Sequence, residues 1–158
     1  MANIDPTDAA ILQAWATNAR RSLRDLAGEV GVSATTIHDR ARAMQRSGVI
    51  RGFSVDLDLA LLGRPVQALI AVRIRPPSRA NIESFRDWVA SLPETIGVFV
   101  TTGRADFIVH VAVAGNDALY SFVIDRLTSR AEIADVETSI IYEHLQERRV
   151  LPPDRPAP

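Results

Sequence analysis

A short segment of this 158-residue chain concentrates side chains that hydrogen-bond to base edges and phosphate groups. Hydroxyl and imidazole groups come first and guanidinium groups follow, in the order Ser33, Thr35, Thr36, His38, Arg42, Arg46 and Arg51. Short polar side chains at the start of a helix reach base edges, whereas arginine binds a guanine edge or a phosphate. The segment therefore predicts noncovalent recognition of double-stranded DNA, with Arg46 and Arg51 as phosphate contacts.

Helical spacing places most of these side chains on one face of a helix that Ser33 is positioned to cap. The opposite face is apolar and consists of Ile37, Ala41 and Met44. The preceding segment, residues 22–30, has an apolar stripe of its own and ends at Gly31, a residue that accepts the left-handed conformation of a helix end. Two short helices joined by a tight turn, with a cationic second helix, are typical of a helix-turn-helix.

Charge favours the DNA interpretation over the alternative that two amphipathic helices merely pack together. Between Arg20 and Arg51, seven arginines stand against three acidic residues, whereas the whole chain has a formal net charge of -1. Arg40 lies nearer the buried side and is predicted to pair with an acid of the same domain. Asp39 lies on the side facing DNA, where it either accepts from a cytosine amine or orients a neighbouring arginine.

The chain lacks the sequence patterns of an enzyme or a metal site. His38, His110 and His144 are isolated in sequence, and no HExxH, nucleophile-elbow or glycine-rich phosphate-loop pattern occurs. The absence of cysteine excludes disulfides, thiolate metal sites and cysteine nucleophiles. No leader-like segment and no apolar run of membrane-spanning length is present. We therefore expect a cytoplasmic protein with no catalytic residues, metal or cofactor.

Periodicity outlines the rest of the N-terminal half. A first helix is predicted to begin after Asp5, with Pro6 in its first position, and it completes a three-helix unit. From Val49 to Asp58, apolar and polar residues alternate, which predicts a strand that acts as a wing or hinge. A glycine and a proline within residues 63–65 then indicate a linker boundary.

The C-terminal half follows the order strand, helix, strand, strand, helix, strand. The predicted segments are Val66–Arg75, Arg79–Ser91, Ile96–Thr102, Asp106–Ala114, a helix capped by Asn116, and Val136–Tyr142. This βαββαβ order is the ferredoxin-like plan, an antiparallel sheet with both helices on one face. The fold class is therefore α+β. Its predicted parts are a winged helix-turn-helix domain at 1–52, a hinge strand and linker at 53–65, a ferredoxin-like domain at 66–147 and a proline-rich tail at 148–158.

The second face of this sheet has no helix to cover it, although its residues are largely apolar. They are Leu69, Ala71, Phe99, Ile108 and Ala112, interrupted by Gln67, Arg73 and His110. Such a face is usually buried against a symmetric partner, so we expect a homodimer. A dimer presents two recognition helices to pseudo-palindromic half-sites about one DNA turn, or a multiple of it, apart.

Two stretches carry a resemblance to a known family: DPTDAAILQAWATNARRSLRDLAGEVGVSATTIHDRARAMQRSGVIRGFSVDLD and, later, TTGRADFIVHVAV. Their GVS turn, RxRAMQRSGVIRG segment and glycine-containing hairpin have the order and spacing of the Lrp/AsnC family of bacterial and archaeal regulators. The chain resembles this family from about residue 4 to about residue 147.

The resemblance implies a C-terminal domain that dimerises, dimers that assemble into octamers or other multiples, and an effector, commonly an amino acid, bound between dimers. The family's GxxD element falls on Gly103 and Asp106. The effector-binding residues that it implies are Thr101, Gly103, Arg104, Asp106, Thr138 and Ile140. Backbone amides near Gly103 can bind a carboxylate and Asp106 can accept from an ammonium group, although both residue types are also common in hairpin loops.

The predicted function is sequence-specific DNA binding by a transcription regulator whose DNA binding or assembly a small effector modulates. An enzyme on the ferredoxin-like domain is the alternative that the isolated histidines oppose. A stand-alone amino-acid-sensing oligomer with weak or no DNA binding stays open, because Asp39 and the modest basic excess are compatible with it.

Overall fold

The computed structural model describes residues 4–145, so the tail predicted over 148–158 lies outside the described residues. The described chain divides into two compact units, residues 4–55 with Leu145 and residues 56–144. In chain order, the elements are α1 (Pro6–Thr17), α2 (Leu23–Val30), α3 (Ala34–Arg46), β1 (Val66–Ile74), α4 (Arg79–Ala90), β2 (Thr95–Val100), β3 (Phe107–Val113), α5 (Asn116–Ser121, continued by a π-helical turn over Phe122–Leu127) and β4 (Ile133–Ile140).

Local capping fixes where the three helices of the first unit begin. The side chains of Asp5, Ser22 and Ser33 each accept a hydrogen bond from the backbone N–H three residues ahead, which confirms the predicted cap at Ser33. α2 ends at Gly31, whose φ of 77° is the left-handed conformation expected there. The apolar faces of the helices meet in one core of Ile11, Ala14, Leu26, Ala27, Ile37 and Met44.

The predicted wing or hinge strand over Val49–Asp58 is wrong. Apolar and polar residues do alternate, but no strand lies between α3 and β1 in the described chain. A strand needs a neighbour with which to exchange backbone hydrogen bonds, and alternation alone does not supply one. Phe53 instead meets the Trp15 ring edge-on, with ring centroids 5.5 Å apart, while Val55 and Leu57 are exposed.

The second unit is a four-stranded antiparallel sheet in the order β2-β3-β1-β4, which confirms the ferredoxin-like prediction. Every second residue of β1 from Ala68 to Ile74 is fully buried, and so are Phe107, Val109 and Val111 of β3. These side chains form one core with residues of the two covering helices, which include Phe85, Val89, Leu119, Phe122 and Leu127.

Two predictions about element ends are wrong. The last strand spans Ile133–Ile140 rather than Val136–Tyr142, because its first residues already pair with the end of β1 at Ile74. Asn116 does not cap α5 but is its first residue. Gly115 occupies the capping position, and no side-chain hydrogen bond caps this helix.

The sheet face opposite the helices is partly exposed in this chain. Leu69 and Phe99 are 37% and 57% exposed, as expected for residues of that face. Ala112, also predicted there as an open-face residue, is fully buried. An irregularity in the register of β2 brings the Glu94 backbone beside Ala112, whose N–H donates to the Glu94 carbonyl at 2.8 Å.

Arg40 ties α3 to the start of α1, which confirms its predicted pairing with an acid of the same domain. Its guanidinium contacts Asp5 and donates to Asp8 Oδ1 at 3.0 Å. Asp5 and Asp8 already accept each other's backbone N–H in a capping box. The Asp8 backbone N–H, followed by the Arg40 guanidinium, lowers the pKa of Asp5 below its ordinary value of 3.8. Charge-assisted hydrogen bonds therefore hold α3 and α1 together.

Asp5→Asn tests this contact, because asparagine keeps the capping oxygen and loses only the charge. The lowered pKa of Asp5 stabilises the folded state above pH 3.8, and this contribution is lost as the pH falls below that value. In urea denaturation we expect the variant to be less stable than wild type at neutral pH, with a difference that shrinks below pH 3.8.

Ser78→Ala is the control, because it removes the cap of α4 without removing a titrating group. Its loss of stability is expected to stay constant over the same pH range. If the Asp5→Asn difference is equally constant, the charge of Asp5 does not contribute as described.

Candidate nucleic-acid interface and ligand groove

The N-terminus of α3 is organised by two hydroxyl groups. Ser33 Oγ accepts from the Thr36 N–H at 3.0 Å and lies 2.8 Å from Thr36 Oγ1. Thr36 is half-buried in this arrangement, whereas Thr35 is exposed in the first turn. Thr35 is thus the hydroxyl that projects from the helix start, and Ser33 and Thr36 shape the backbone around it.

The outer face of α3 brings most of the predicted DNA-contacting residues onto one surface. Ile37, Ala41 and Met44 anchor the helix from the opposite side. His38, Arg42 and Arg46 are exposed, as is Arg51, which follows the helix. A buried apolar face with a cationic outer face allows a helix to approach phosphates without disturbing its own core.

Asp39 on this face is paired with a neighbour in sequence. Its Oδ1 lies 3.3 Å from His38 Nδ1, and both side chains are at least half exposed. The carboxylate therefore contacts an imidazole, where an arginine was one of the predicted partners.

In the second unit, the loop between β2 and β3 is closed by its own hydrogen bonds. Thr101 Oγ1 donates to the Ala105 carbonyl at 2.7 Å, and the Thr101 N–H donates to the Asp106 carbonyl at 2.9 Å. Gly103 has a φ of 120°, a conformation that side-chain-bearing residues rarely adopt. Thr101 therefore closes the loop through its hydrogen bonds, and Gly103 supplies the backbone conformation that the turn requires.

Asp106 connects the start of β3 to the end of β1. Its Oδ2 accepts from the Ile74 N–H at 2.7 Å and lies 3.8 Å from Arg75 Nη1. Its own N–H donates to the Val72 carbonyl at 3.0 Å. The Asp106 carboxylate thus already accepts a hydrogen bond from the backbone. This bond competes with the predicted hydrogen bond from an effector ammonium group to the same carboxylate.

A groove of about 340 Å³ opens on the uncovered sheet face beside this loop. We name it the charged groove, because Arg73, Arg104, Asp135 and Glu137 line it together with the apolar Ala71 and Ile108. Arg104 Nη2 lies 3.3 Å from Glu137 Oε2. Arg73 Nε donates to the Arg104 carbonyl at 2.9 Å, which fixes the backbone of the loop.

The predicted effector residues do not all meet at this groove. Thr101 and Arg104 line it. Thr138 and Ile140 pair with Ile70 and Ala68 of the buried face, and directly paired residues of antiparallel strands point to the same side. Thr138 and Ile140 therefore lie on the helix-covered side of the sheet edge, away from the groove.

Three charged lining residues were not predicted from the sequence. Arg73 was expected only to interrupt an apolar face, and Asp135 and Glu137 were not singled out. Their proximity follows from the pairing of β1 with β4, in which Arg73 is opposite Asp135 and Ala71 is opposite Glu137. The period-two spacing of Asp135 and Glu137 along β4 is the sequence signal that would have found the two acidic residues.

A second groove, of about 510 Å³, lies farther along the same face and is mostly apolar. Leu69 and Phe99 line it with His110 and His144, whose rings are 5.7 Å apart. Burial, followed by the nearby His144, lowers the pKa of His110. His110 is therefore uncharged at neutral pH, and its Nε2 lies 3.1 Å from Gln67 Oε1.

Within residues 4–145, no group of three or more His, Asp or Glu side chains is arranged to hold a metal ion. None of the helices in that range combines the length and the apolar character needed to cross a bilayer.

Two family profiles match the sequence. One, described as an AsnC-type helix-turn-helix domain, matches residues 4–45, and the other, described as the Lrp/AsnC ligand binding domain, matches residues 67–151. The chain belongs to the Lrp/AsnC family. Its relatives are transcriptional regulators rather than enzymes, so the family membership excludes the enzyme alternative.

Similar proteins span nearly the whole chain. The HTH-type transcriptional regulator AldR of Mycobacterium tuberculosis is 37% identical over 145 residues, which cover 92% of this chain and 81% of AldR. The regulatory protein AsnC of Escherichia coli is 32% identical over 149 residues, 94% of this chain and 97% of AsnC.

Solved structures share the fold. The structure of E. coli AsnC matches with a TM-score of 0.84 and 31% identity, over 96% of this chain and 100% of that one. A transcriptional regulator of Neisseria meningitidis, crystallised as an L-Met complex, matches with a TM-score of 0.87 and 27% identity, over 96% of this chain and 98% of that one.

Asp106→Ala and Asp106→Asn together test the structural role of this carboxylate. We expect Asp106→Ala to lower the free energy of unfolding by about 1–3 kcal/mol, because the Ile74 N–H loses a charged acceptor. Asp106→Asn keeps an acceptor oxygen and is expected to lose less than half as much. Urea denaturation followed by far-UV circular dichroism measures both, and equal losses in the two variants would contradict the assigned hydrogen bond.

Proposed function

We propose that the protein is a sequence-specific DNA-binding transcription regulator whose DNA binding or assembly is modulated by an amino acid. The observation that carries the DNA-binding part is the arrangement of arginines on α3. Arg40 turns inward to Asp5 and Asp8, whereas Arg42 and Arg46 are exposed on the outer face. Of these three arginines of α3, only Arg40 holds the recognition helix in its own domain, through its contacts with Asp5 and Asp8.

Contacts with DNA divide along α3. Thr35 and His38, in the first turns, are proposed to reach base edges, and Ser33 and Thr36 to support the helix N-terminus beside a phosphate. Arg42 is proposed to bind a guanine edge or a phosphate. Arg46 and Arg51 are proposed as phosphate contacts, which position the domain without reading sequence.

The open sheet face is proposed to bury itself against a second copy of the chain. Leu69 and Phe99 are exposed there, and the neutral His110 adds no charge to them at neutral pH. Apolar surfaces of this kind are typical of symmetric interfaces. Dimers are proposed to assemble further, into octamers or other multiples.

An amino acid is the proposed effector, as the L-Met complex of the N. meningitidis regulator supports. The residues proposed to contact it are those that the family resemblance implies: Thr101, Gly103, Arg104, Asp106, Thr138 and Ile140. Residues 53–65 are proposed as the linker between the DNA-binding and effector domains. Effector binding would then favour one assembly over another, and so change the occupancy of DNA, in the cytoplasm.

One alternative is a stand-alone amino-acid sensor with weak or no DNA binding. The exposed carboxylate of Asp39, on the outer face of α3, is the observation that favours it. Binding of the wild-type protein to DNA separates the two functions.

Arg42→Ala is expected to lower the affinity for the DNA upstream of the protein's own gene by about tenfold at fixed salt, since a base-edge or phosphate contact is lost. Fluorescence anisotropy with labelled duplexes at several salt concentrations gives both the affinity and its salt dependence. Arg79→Ala, an exposed arginine of α4, is the matched control and should leave the affinity unchanged.

Unchanged affinity in Arg42→Ala would show that α3 is not the DNA-binding element. Failure of the wild-type protein to bind this DNA would instead favour the stand-alone sensor.

Phe99→Glu is expected to shift the protein from dimer toward monomer, because a carboxylate buried in an apolar interface is desolvated without a partner. Sedimentation equilibrium measures the change. Tyr120→Glu replaces an aromatic residue of α5 that is also more than half exposed and should leave the dimer intact. A Phe99→Glu variant that associates as tightly as wild type would contradict the proposed interface.

A further inference from the structure

We propose that Asp39 is a positioning residue for base recognition by α3. It holds the hydrogen of the His38 imidazole on Nδ1, so that Nε2 is left as the acceptor for the exocyclic amino group of a base, adenine N6 or cytosine N4. The inference rests on the proposed DNA binding through α3. It gives Asp39 neither of the two roles predicted from the sequence, which were contact with a cytosine amine and orientation of an arginine.

His38 and Asp39 form a hydrogen-bonded pair on the outer face of α3. Asp39 Oδ1 lies 3.3 Å from His38 Nδ1, and the two side chains are 72% and 50% exposed, respectively. Ile37 anchors the opposite side of the helix and is fully buried. An approach of this outer face to DNA therefore brings the imidazole and the carboxylate to the base edges together.

The carboxylate of Asp39 decides which imidazole nitrogen carries the hydrogen. An ionised carboxylate has only acceptor oxygens, so a hydrogen bond to it requires an N–H donor. In an uncharged imidazole, one ring nitrogen is the donor and the other is the acceptor, and the partner of one nitrogen selects the tautomer. The contact with Asp39 therefore places the hydrogen on Nδ1 of His38 and the lone pair on Nε2.

Nε2 is the imidazole nitrogen that can reach a base. It lies on the side of the ring away from Cβ, whereas Nδ1 is turned to Asp39. In the major groove, adenine N6 and cytosine N4 are donors, whereas guanine O6, guanine N7 and thymine O4 are acceptors. The lone pair on Nε2 attracts the amino groups and is repelled by the acceptor atoms. The pair is therefore selective for a base that carries an amino group.

The contacts of Asp39 favour this role over orientation of an arginine. Arg42 and Arg46 are exposed on the same face of α3, but the side chain that Asp39 contacts is the imidazole of His38. The carboxylate thus acts on base recognition through a neighbouring ring, and a direct contact of its own with a base is not required.

The test begins with the DNA site that the protein prefers. Selection of bound duplexes from a random-sequence library by the full-length wild-type protein gives that site. Each adenine in it is then replaced by purine and each cytosine by 2-pyrimidinone, which removes only the exocyclic amino group. Fluorescence anisotropy at about pH 8, where imidazole groups are uncharged, compares the affinities for the natural and the modified duplexes. At one or more positions, we expect wild type to bind the modified duplex about fivefold to tenfold more weakly.

Three variants identify the groups responsible for this loss of affinity. His38→Ala removes the acceptor, so at one such position it is expected to bind the natural and the modified duplex equally. Asp39→Ala lets either nitrogen carry the hydrogen, so the loss at that position should fall to less than half of the wild-type value. Asp39→Glu keeps a carboxylate that only accepts, and it should restore most of the loss. Glutamate is preferred to asparagine here, because the amide of asparagine can also donate.

Each result is a ratio of two affinities measured for one variant. A uniform change in affinity caused by the lost charge of Asp39 therefore cancels. Asp87→Ala is the matched control, because it also removes an exposed aspartate that contacts its neighbour in sequence, Arg86 of α4. This variant should show the full wild-type loss at every position.

The outcomes separate this inference from the proposed function. An undiminished loss in Asp39→Ala, or the absence of any position at which the loss depends on His38, overturns the positioning role while DNA binding stands. A loss that disappears in Asp39→Ala but persists in His38→Ala shows that Asp39 contacts the base itself, which also overturns the positioning role. A wild-type protein that selects no site from the library overturns both the inference and the proposed sequence-specific DNA binding.

Discussion

The second unit depends on the alternation of side chains along β1. Because successive residues of a strand point to opposite faces, Ala68, Ile70, Val72 and Ile74 are committed to the core, and the residues between them form the open face. A register shift of one residue would exchange the two sets completely. The hydrogen bond from the Ile74 N–H to Asp106 fixes the register at one end of the strand. The register of β1 therefore determines both which residues form the packed core and which residues form the surfaces proposed for a partner and a ligand.

Much of the first unit could be predicted because its signals are local. An N-cap such as Ser33 acts on an amide three residues away, and Gly31 acts at its own backbone angle, so the sequence pattern contains both partners of each interaction. The prediction of a wing strand was wrong because its signal is not local. A strand requires a neighbouring strand for its hydrogen bonds, and the local sequence does not reveal that neighbour.

The candidate ligand site was harder to predict than the fold. Glu137 and Arg104 come together only through the pairing of β4 with β1 and through a loop that Arg73 holds. A hairpin aspartate such as Asp106 looks the same in sequence whether it accepts from a ligand or from the backbone. The distinction depends on the position of the Ile74 N–H, which belongs to a different strand.

Arg104 and Glu137 belong to a loop and to an edge strand, and neither belongs to the hydrophobic core. Substitution of either side chain leaves the buried residues of β1 and β3 in place. In this architecture, the charges of this exposed ion pair can therefore change without a matching loss of folding stability. Sequence change is therefore tolerated at the exposed ion pair, whereas the fully buried residues of β1 tolerate little change in volume.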